Sequence, residues 1–183
     1  AAIRCWKYVK YTKHYKLTYS TFNTTLQFWS DTDWAGDKTD RKSIGGFIGM
    51  LFGAAVIWKC KKQSVVALST AEAEFMGLCM AAMELIWLDM MLRELEVKPL
   101  MQHHPLTLFG DNQASLKMAQ EGADTTRTKH IDIKYHFLKD LVRTNRVNIT
   151  YVDTKFNLAD LLTKAKPKGP HMEDTIRVLG MKK

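Results

Sequence analysis

Apolar and polar residues alternate in five short stretches, and this period of two predicts five β-strands. The stretches are residues 26–33, 44–51, 55–58, 106–111 and 147–152. Gly53 separates the second from the third and predicts a hairpin, because glycine readily adopts the backbone conformation of a tight turn. The first three stretches therefore predict three consecutive antiparallel strands.

Between these stretches, apolar residues recur at helical spacing. The longest run begins at Ser69, whose hydroxyl and the Glu72 carboxylate predict a capping box, and it ends before Pro99. Further helices are predicted over residues 1–20, 112–122, 126–145, 157–162 and, weakly, 172–179. Because strands and helices alternate in the second half, the pattern predicts an α/β fold with an active site beyond the carboxyl ends of the strands.

The composition indicates a basic protein from a reducing compartment. Lys and Arg number 27 against 19 Asp and Glu, giving a net charge of +8 and a pI near 9.4, which favours an anionic partner such as nucleic acid. No apolar run approaches the roughly 20 residues of a membrane span, so no membrane association is predicted. Three widely spaced cysteines favour a reducing, intracellular compartment.

Residues 1–20 contain five cations and no acid among aromatic rings. Two interpretations remain open for this predicted helix. It could track a nucleic-acid backbone, or it could be a helix cut from a preceding domain whose apolar face has lost its partner.

Four acids lie at the ends of predicted elements or beside an apolar stripe: Asp31, Glu74, Asp111 and Asp160. Each has an ordinary explanation; Glu74 could serve the helix dipole and Asp111 could cap a helix. Together they favour a divalent cation, because Mg2+ prefers a few carboxylates with water and phosphate oxygens. Two such ions about 4 Å apart activate a water and stabilise a leaving oxygen.

The motifs around these acids resemble the ribonuclease H domain of Ty1/copia-type LTR retrotransposon Pol polyproteins. The residues that carry the resemblance are Ser30–Asp37, Arg41–Ser43, Lys61–Phe75, Gly110–Gln113, Arg127–Ile133 and Leu158–Lys164. They extend from about residue 26 to 165 in the family's order and at its approximate spacing. Residues 1–25 resemble the connecting helix that follows reverse transcriptase, and residues 166–183 form a basic tail.

The resemblance implies a ribonuclease H-like fold: a mixed five-stranded sheet with three antiparallel strands, then parallel additions, and helices on both faces. It implies that Asp31, Glu74, Asp111 and Asp160 are the catalytic and metal-binding residues, with Asp33 as the alternative at the first position. The implied cofactor is two Mg2+ ions, with Mn2+ as a substitute. The implied reaction is endonucleolytic cleavage of the RNA strand of RNA–DNA hybrids, discriminated through the 2′-hydroxyl.

The implied setting is reverse transcription, with reverse transcriptase in cis and a location in a cytoplasmic virus-like particle or the nucleus. The expected hybrid contacts are Lys61, Lys62, Asn112, Gln113, Arg127, Lys129, His130 and Lys134. For the basic segments, a solvated surface is the alternative interpretation. A domesticated module that binds nucleic acid or a protein partner without cleavage is the alternative function.

One departure from the family pattern concerns the loop before the last aspartate. Cellular ribonucleases H carry glycine and histidine there, whereas residues 152–157 contain neither. The resemblance therefore does not extend to a histidine of this loop in leaving-group assistance or product release, and His130 is the candidate to replace it.

Overall fold

A computed structural model describes residues 2–20, 24–96, 105–121, 129–165 and 170–182. In chain order its elements are α1 (Ala2–Thr12), β1 (Lys16–Leu17), β2 (Gln27–Asp33), β3 (Ile44–Leu51), β4 (Ala54–Lys62), α2 (Thr70–Glu94), β5 (Leu106–Gly110), α3 (Gln113–Glu121), α4 (Lys129–Arg143), β6 (Val147–Tyr151), a 3-10 helix (Thr154–Phe156), α5 (Asp160–Thr163), α6 (Pro170–Val178) and β7 (Met181–Lys182).

Five strands form a mixed sheet of order β4-β3-β2-β5-β6. The β2–β3 and β3–β4 pairs are antiparallel, whereas β2–β5 and β5–β6 are parallel. This confirms the predicted topology, including the hairpin turn, where Phe52 and Gly53 both have positive φ. β4 continues to Lys62, beyond the predicted residues 55–58, because its polar end keeps pairing with β3 as far as Ile44.

The main core lies on one face of the sheet, under a layer formed by α2, α3 and α4. Phe28, Phe47 and Phe75 are fully buried there. Gly77 allows α2 to approach β2 closely, because a Cβ at this position would lie 2.5 Å from the Thr32 hydroxyl oxygen. α2 is therefore held tightly against the strand that carries Asp31.

The opposite face is covered by α5 and by Leu179 near the C-terminal end of the described chain. Leu158 and Leu162 pack there against Ile48 and Met50 of β3. Helices thus lie on both faces of the sheet, as predicted.

The N-terminal cap of α2 agrees in part with the predicted capping box of Ser69 and Glu72. The Ser69 hydroxyl accepts a hydrogen bond from the Glu72 amide at 3.2 Å, but the Glu72 carboxylate accepts from the Leu68 amide at 2.8 Å and not from that of Ser69. By length and hydropathy alone, α2 also meets the criterion for a membrane span. Most of its apolar length is buried in the core, as expected of the central helix of a globular domain.

The prediction of one helix over residues 1–20 is wrong, because α1 ends at Thr12 and β1 follows. β1 pairs antiparallel with β7, and this two-stranded ribbon is called the terminal ribbon below. It is attached to the β3–β4 hairpin, where Ala55 donates its amide to the Leu179 carbonyl and accepts from the Tyr19 hydroxyl. Both flanking segments therefore contact the sheet domain, while their assignment as separate units stays a prediction.

Candidate active site

Three carboxylates meet at one edge of the sheet. Asp31 lies in β2, Glu74 is the fifth residue of α2, and Asp111 comes directly after β5; one oxygen of each lies within 4.8 Å of those of the others. The register explains the meeting, because Trp29 and Phe109 are paired across the parallel strands and each aspartate follows two residues later. The two rings stack with their centroids 5.0 Å apart.

Burial and mutual repulsion strongly perturb Glu74. Its pKa is raised from 4.5 to about 9, first by burial and then by the neighbouring Asp31 and Asp111 charges. A hydrogen bond from the Thr32 backbone amide and the Lys164 charge act in the opposite direction. The metal-free protein therefore holds Glu74 protonated at neutral pH.

Asp111 is not the cap of α3. Asn112 fills that role, because its side-chain oxygen accepts from the Ser115 amide at 2.9 Å and its carbonyl accepts from the Ser115 hydroxyl at 2.8 Å. The alternative that explained Asp111 as a helix cap is thus wrong. The Asp111 carboxylate lies instead within the group of three acids.

Asp160 is buried at the start of α5 but is not a member of that group. Its Oδ1 accepts from the Lys164 Nζ at 2.5 Å, and the same ammonium lies 3.4 Å from Asp31 Oδ1. Asp160 is therefore connected to the other acids through a lysine.

Two features hold α5 beside β2. Asn157 is buried, donates from its amide nitrogen to the Ser30 carbonyl at 2.9 Å, and accepts from the Ala159 amide at 3.2 Å. Gly46, paired with Asp31 in the sheet, leaves room for α5, because a Cβ there would lie 2.8 Å from the Leu162 Cβ. The loop that lacks glycine and histidine thus carries a buried asparagine that fixes the last acid.

The donor set fits a hard divalent cation. It consists of carboxylate oxygens that are buried or half-buried and close enough to share one ion. The pKa of Glu74 is raised first by burial and second by the charges of Asp31 and Asp111, so a further negative charge at this position is disfavoured unless a cation compensates for it. A divalent cation would offset that charge.

The predicted hybrid contacts have diverse surroundings. Lys62 is bound to Asp37 at 2.5 Å and to Asp40 at 2.9 Å, so its charge is already compensated, and this pairing lowers the pKa of Asp37 to about 2. Lys61 and Gln113 are exposed.

The remaining contacts lie on or before α4. Lys134 is half-buried, and its carbonyl accepts from the buried Cys79 thiol at 3.4 Å. Lys129 and His130 begin α4, but their side chains lie outside the described part of the chain, as does all of Arg127. His130 as a replacement for the missing histidine therefore stays a prediction.

Sequence reasoning missed three residues that shape the site: Gly46, Asn157 and Lys164. A signal existed for Asn157, since an asparagine shortly before a helix favours a local turn. For Lys164 the spacing from Asp160 places both on one side of a helix turn, whereas the sequence analysis includes it only in the motif that carries the family resemblance. Gly46 gave no signal, because its close approach to α5 depends on long-range packing.

Sequence comparison with known proteins finds relatives of this chain. No family model matches the chain. It is 32% identical over 162 residues to the Retrovirus-related Pol polyprotein from transposon TNT 1-94 of Nicotiana tabacum, covering 88% of this chain and 12% of that one. It is 34% identical over 140 residues to the transposon RE2 polyprotein of Arabidopsis thaliana, covering 76% and 9%. Secreted RxLR effector protein 161 of Plasmopara viticola is 41% identical over 91 residues, covering 49% and 64%.

Solved structures agree on the fold. The N-terminal RNase H domain of rv2228c from Mycobacterium tuberculosis aligns with a TM-score of 0.53 at 12% identity, covering 84% of this chain and 97% of that one. LC11-RNase H1 in complex with an RNA/DNA hybrid aligns with a TM-score of 0.50 at 10% identity, covering 75% and 93%. The sheet order and these neighbours define a ribonuclease H fold.

The relatives then identify the family. The chain belongs to the Ty1/copia-type retrotransposon Pol polyproteins, as their ribonuclease H domain. It spans 12% or less of the two plant polyproteins above, so the activities of those whole proteins do not transfer to it directly.

Proposed function

We propose that this domain is a Mg2+-dependent ribonuclease H that hydrolyses the RNA strand of RNA–DNA hybrids during reverse transcription. The observation that carries the proposal is the group of Asp31, Glu74 and Asp111 at the carboxyl ends of two parallel strands in this fold. Asp160, buried beside Asp31, completes the proposed ligand set. The proposed cofactor is two Mg2+ ions, with Mn2+ as a substitute.

The chemistry divides between the bound ions and the chain. When bound, the ions supply a nucleophilic water and stabilise charge on the leaving oxygen. The chain fixes the positions of the Asp31 and Glu74 carboxylates by burying them. Asn157 and Gly46 keep α5, and with it Asp160, against β2.

The exposed Lys61 and Gln113 and the basic start of α4 are the proposed contacts to the hybrid backbone. The net charge of +8 supports an anionic partner, and the solved complex of LC11-RNase H1 contains an RNA/DNA hybrid. Reverse transcriptase in cis is the proposed partner, in a virus-like particle or the nucleus. The plant relatives are named as Pol polyproteins, which supports a partner domain in the same polyprotein.

Cleavage of an end-labelled hybrid tests the proposal, with duplex DNA and duplex RNA as substrate controls and Asp111→Asn as the inactive control. Only the hybrid should be cut, and only when Mg2+ or Mn2+ is present, leaving 3′-hydroxyl and 5′-phosphate ends. Cleavage that persists in excess EDTA would contradict it.

A second candidate function is nucleic-acid binding without cleavage, which the net charge of +8 supports equally well. Salt-dependent hybrid binding without any cleavage in Mg2+ or Mn2+ would support that function instead.

A further inference from the structure

Lys164 places a positive charge between two of the four acids. Its Nζ lies 2.5 Å from Asp160 Oδ1 and 3.4 Å from Asp31 Oδ1. The two carboxylate side chains are only 3% and 1% exposed, whereas the lysine side chain is 44% exposed. The ammonium therefore reaches into the site from the protein surface.

Both oxygens of Asp31 already have donors from this end of α5. Lys164 contacts Oδ1, and the Thr163 hydroxyl donates to Oδ2. The same aspartate is a member of the group with Glu74 and Asp111. Asp31 is thus shared between the candidate metal ligands and an internal cation.

A divalent ion and an ammonium that contact the same carboxylate repel each other. Lys164 can yield without disturbing the core, because its long side chain is nearly half exposed and its charge can move into water. The Asp160 and Asp31 side chains are buried, so their charges cannot move into water in this way.

We propose that Lys164 is an internal counter-cation, which holds Asp31 and Asp160 together in the metal-free protein and is displaced when a divalent cation binds Asp31. This inference rests on the proposed function in one respect, that the acids bind divalent cations. It assigns Lys164 a positioning role that sets metal affinity, so loading the site requires a lysine to leave.

The test is a Mn2+ titration followed by electron paramagnetic resonance of free Mn2+, together with melting in EDTA. Lys164→Met keeps the length of the side chain but removes its charge, and Lys164→Arg keeps the charge. Lys155→Met is the matched control, because Lys155 is an exposed lysine 3.7 Å from a carboxylate outside the site, that of Asp153.

Lys164→Met should bind Mn2+ about three- to tenfold more tightly than wild type, since two partly exposed ion pairs no longer compete with the ion. It should also melt a few degrees lower in EDTA, since two buried acids lose their counter-ion. Lys164→Arg and Lys155→Met should keep wild-type affinity. Tight binding by Lys164→Met when wild type binds no Mn2+ would also support displacement.

Unchanged or weaker Mn2+ binding by Lys164→Met, with wild type binding normally, overturns the inference while leaving the proposed function intact. A lower melting temperature without any gain in affinity would show a merely structural ion pair and also overturns it. Absence of Mn2+ binding in both proteins overturns the inference and the metal dependence of the proposed function together.

Discussion

Replacing Glu74 by Gln should stabilise the metal-free protein, increasingly so as the pH rises. The folded protein keeps the Glu74 proton up to about pH 9, whereas the unfolded chain loses it near pH 4.5. Between these values the folded state binds more protons, so the stability of the wild type falls as the pH rises. Glutamine has no proton to lose and still offers an oxygen to the Thr32 amide.

The magnitude follows from about 1.4 kcal/mol per pH unit. From pH 4.5 to pH 7 the wild type should lose about 3 kcal/mol that Glu74→Gln does not lose. For a domain of this size that difference corresponds to about 6–12 °C in melting temperature. Urea unfolding in EDTA at pH 4, 5.5, 7 and 8 measures it.

Glu84→Gln is the matched control, because Glu84 lies on the same helix in an ion pair with Lys59 near the surface. Its stability difference should stay within about 0.5 kcal/mol across the series. A Glu74→Gln difference that is constant with pH, or that turns destabilising at pH 8, would refute the assignment of Glu74 as a buried, protonated acid.

Three further outcomes are expected. Asp111→Asn should abolish hybrid cleavage yet leave the metal-free protein equally stable or more stable, on the order of 1 kcal/mol in urea unfolding, since one repelling charge is removed; retained cleavage would exclude Asp111 from the site. Gly46→Ala should cost about 1–3 kcal/mol by pushing α5 away, whereas the adjacent Gly45→Ala, facing the flexible end of Met80 at 3.3 Å, should cost less; equal costs would contradict the packing described. Simultaneous replacement of Arg127, Lys129 and Lys134 by Ala should weaken hybrid binding and flatten its salt dependence; an unchanged salt slope would point to a solvated surface.

The strands and the role of Glu72 in the cap of α2 could be predicted because both follow from local patterns. Alternation marks a strand wherever it occurs, and Glu72 lies at the position where a cap uses its carboxylate. The proximity of Asp31 and Asp111 could also be predicted, because neighbouring parallel strands end at the same edge of a sheet.

The features that could not be predicted depend on contacts between segments far apart in the sequence. The terminal ribbon could not be predicted, because β1 and β7 are two residues each and carry no periodic signal. The pairing of Lys164 with Asp31 depends on how closely α5 approaches β3, and that distance is set by the absence of a side chain at Gly46. Lys62 is an expected hybrid contact within the motifs of the family resemblance, but the sequence does not show that its acidic partners, Asp37 and Asp40, lie beside it in the loop after β2.

The terminal ribbon has a consequence for the order in which the chain folds. Lys16 pairs with Lys182, so β1 leaves the ribosome long before its only strand partner in the described chain. Such a contact closes a loop of nearly the whole described length and forms after the local hairpins and helices. Until it forms, the Ala55 amide at the hairpin lacks the Leu179 carbonyl that satisfies it. A ribosome that stalls after α5 would release a chain containing all four acids but with this edge of β4 uncovered and open to pairing with another chain.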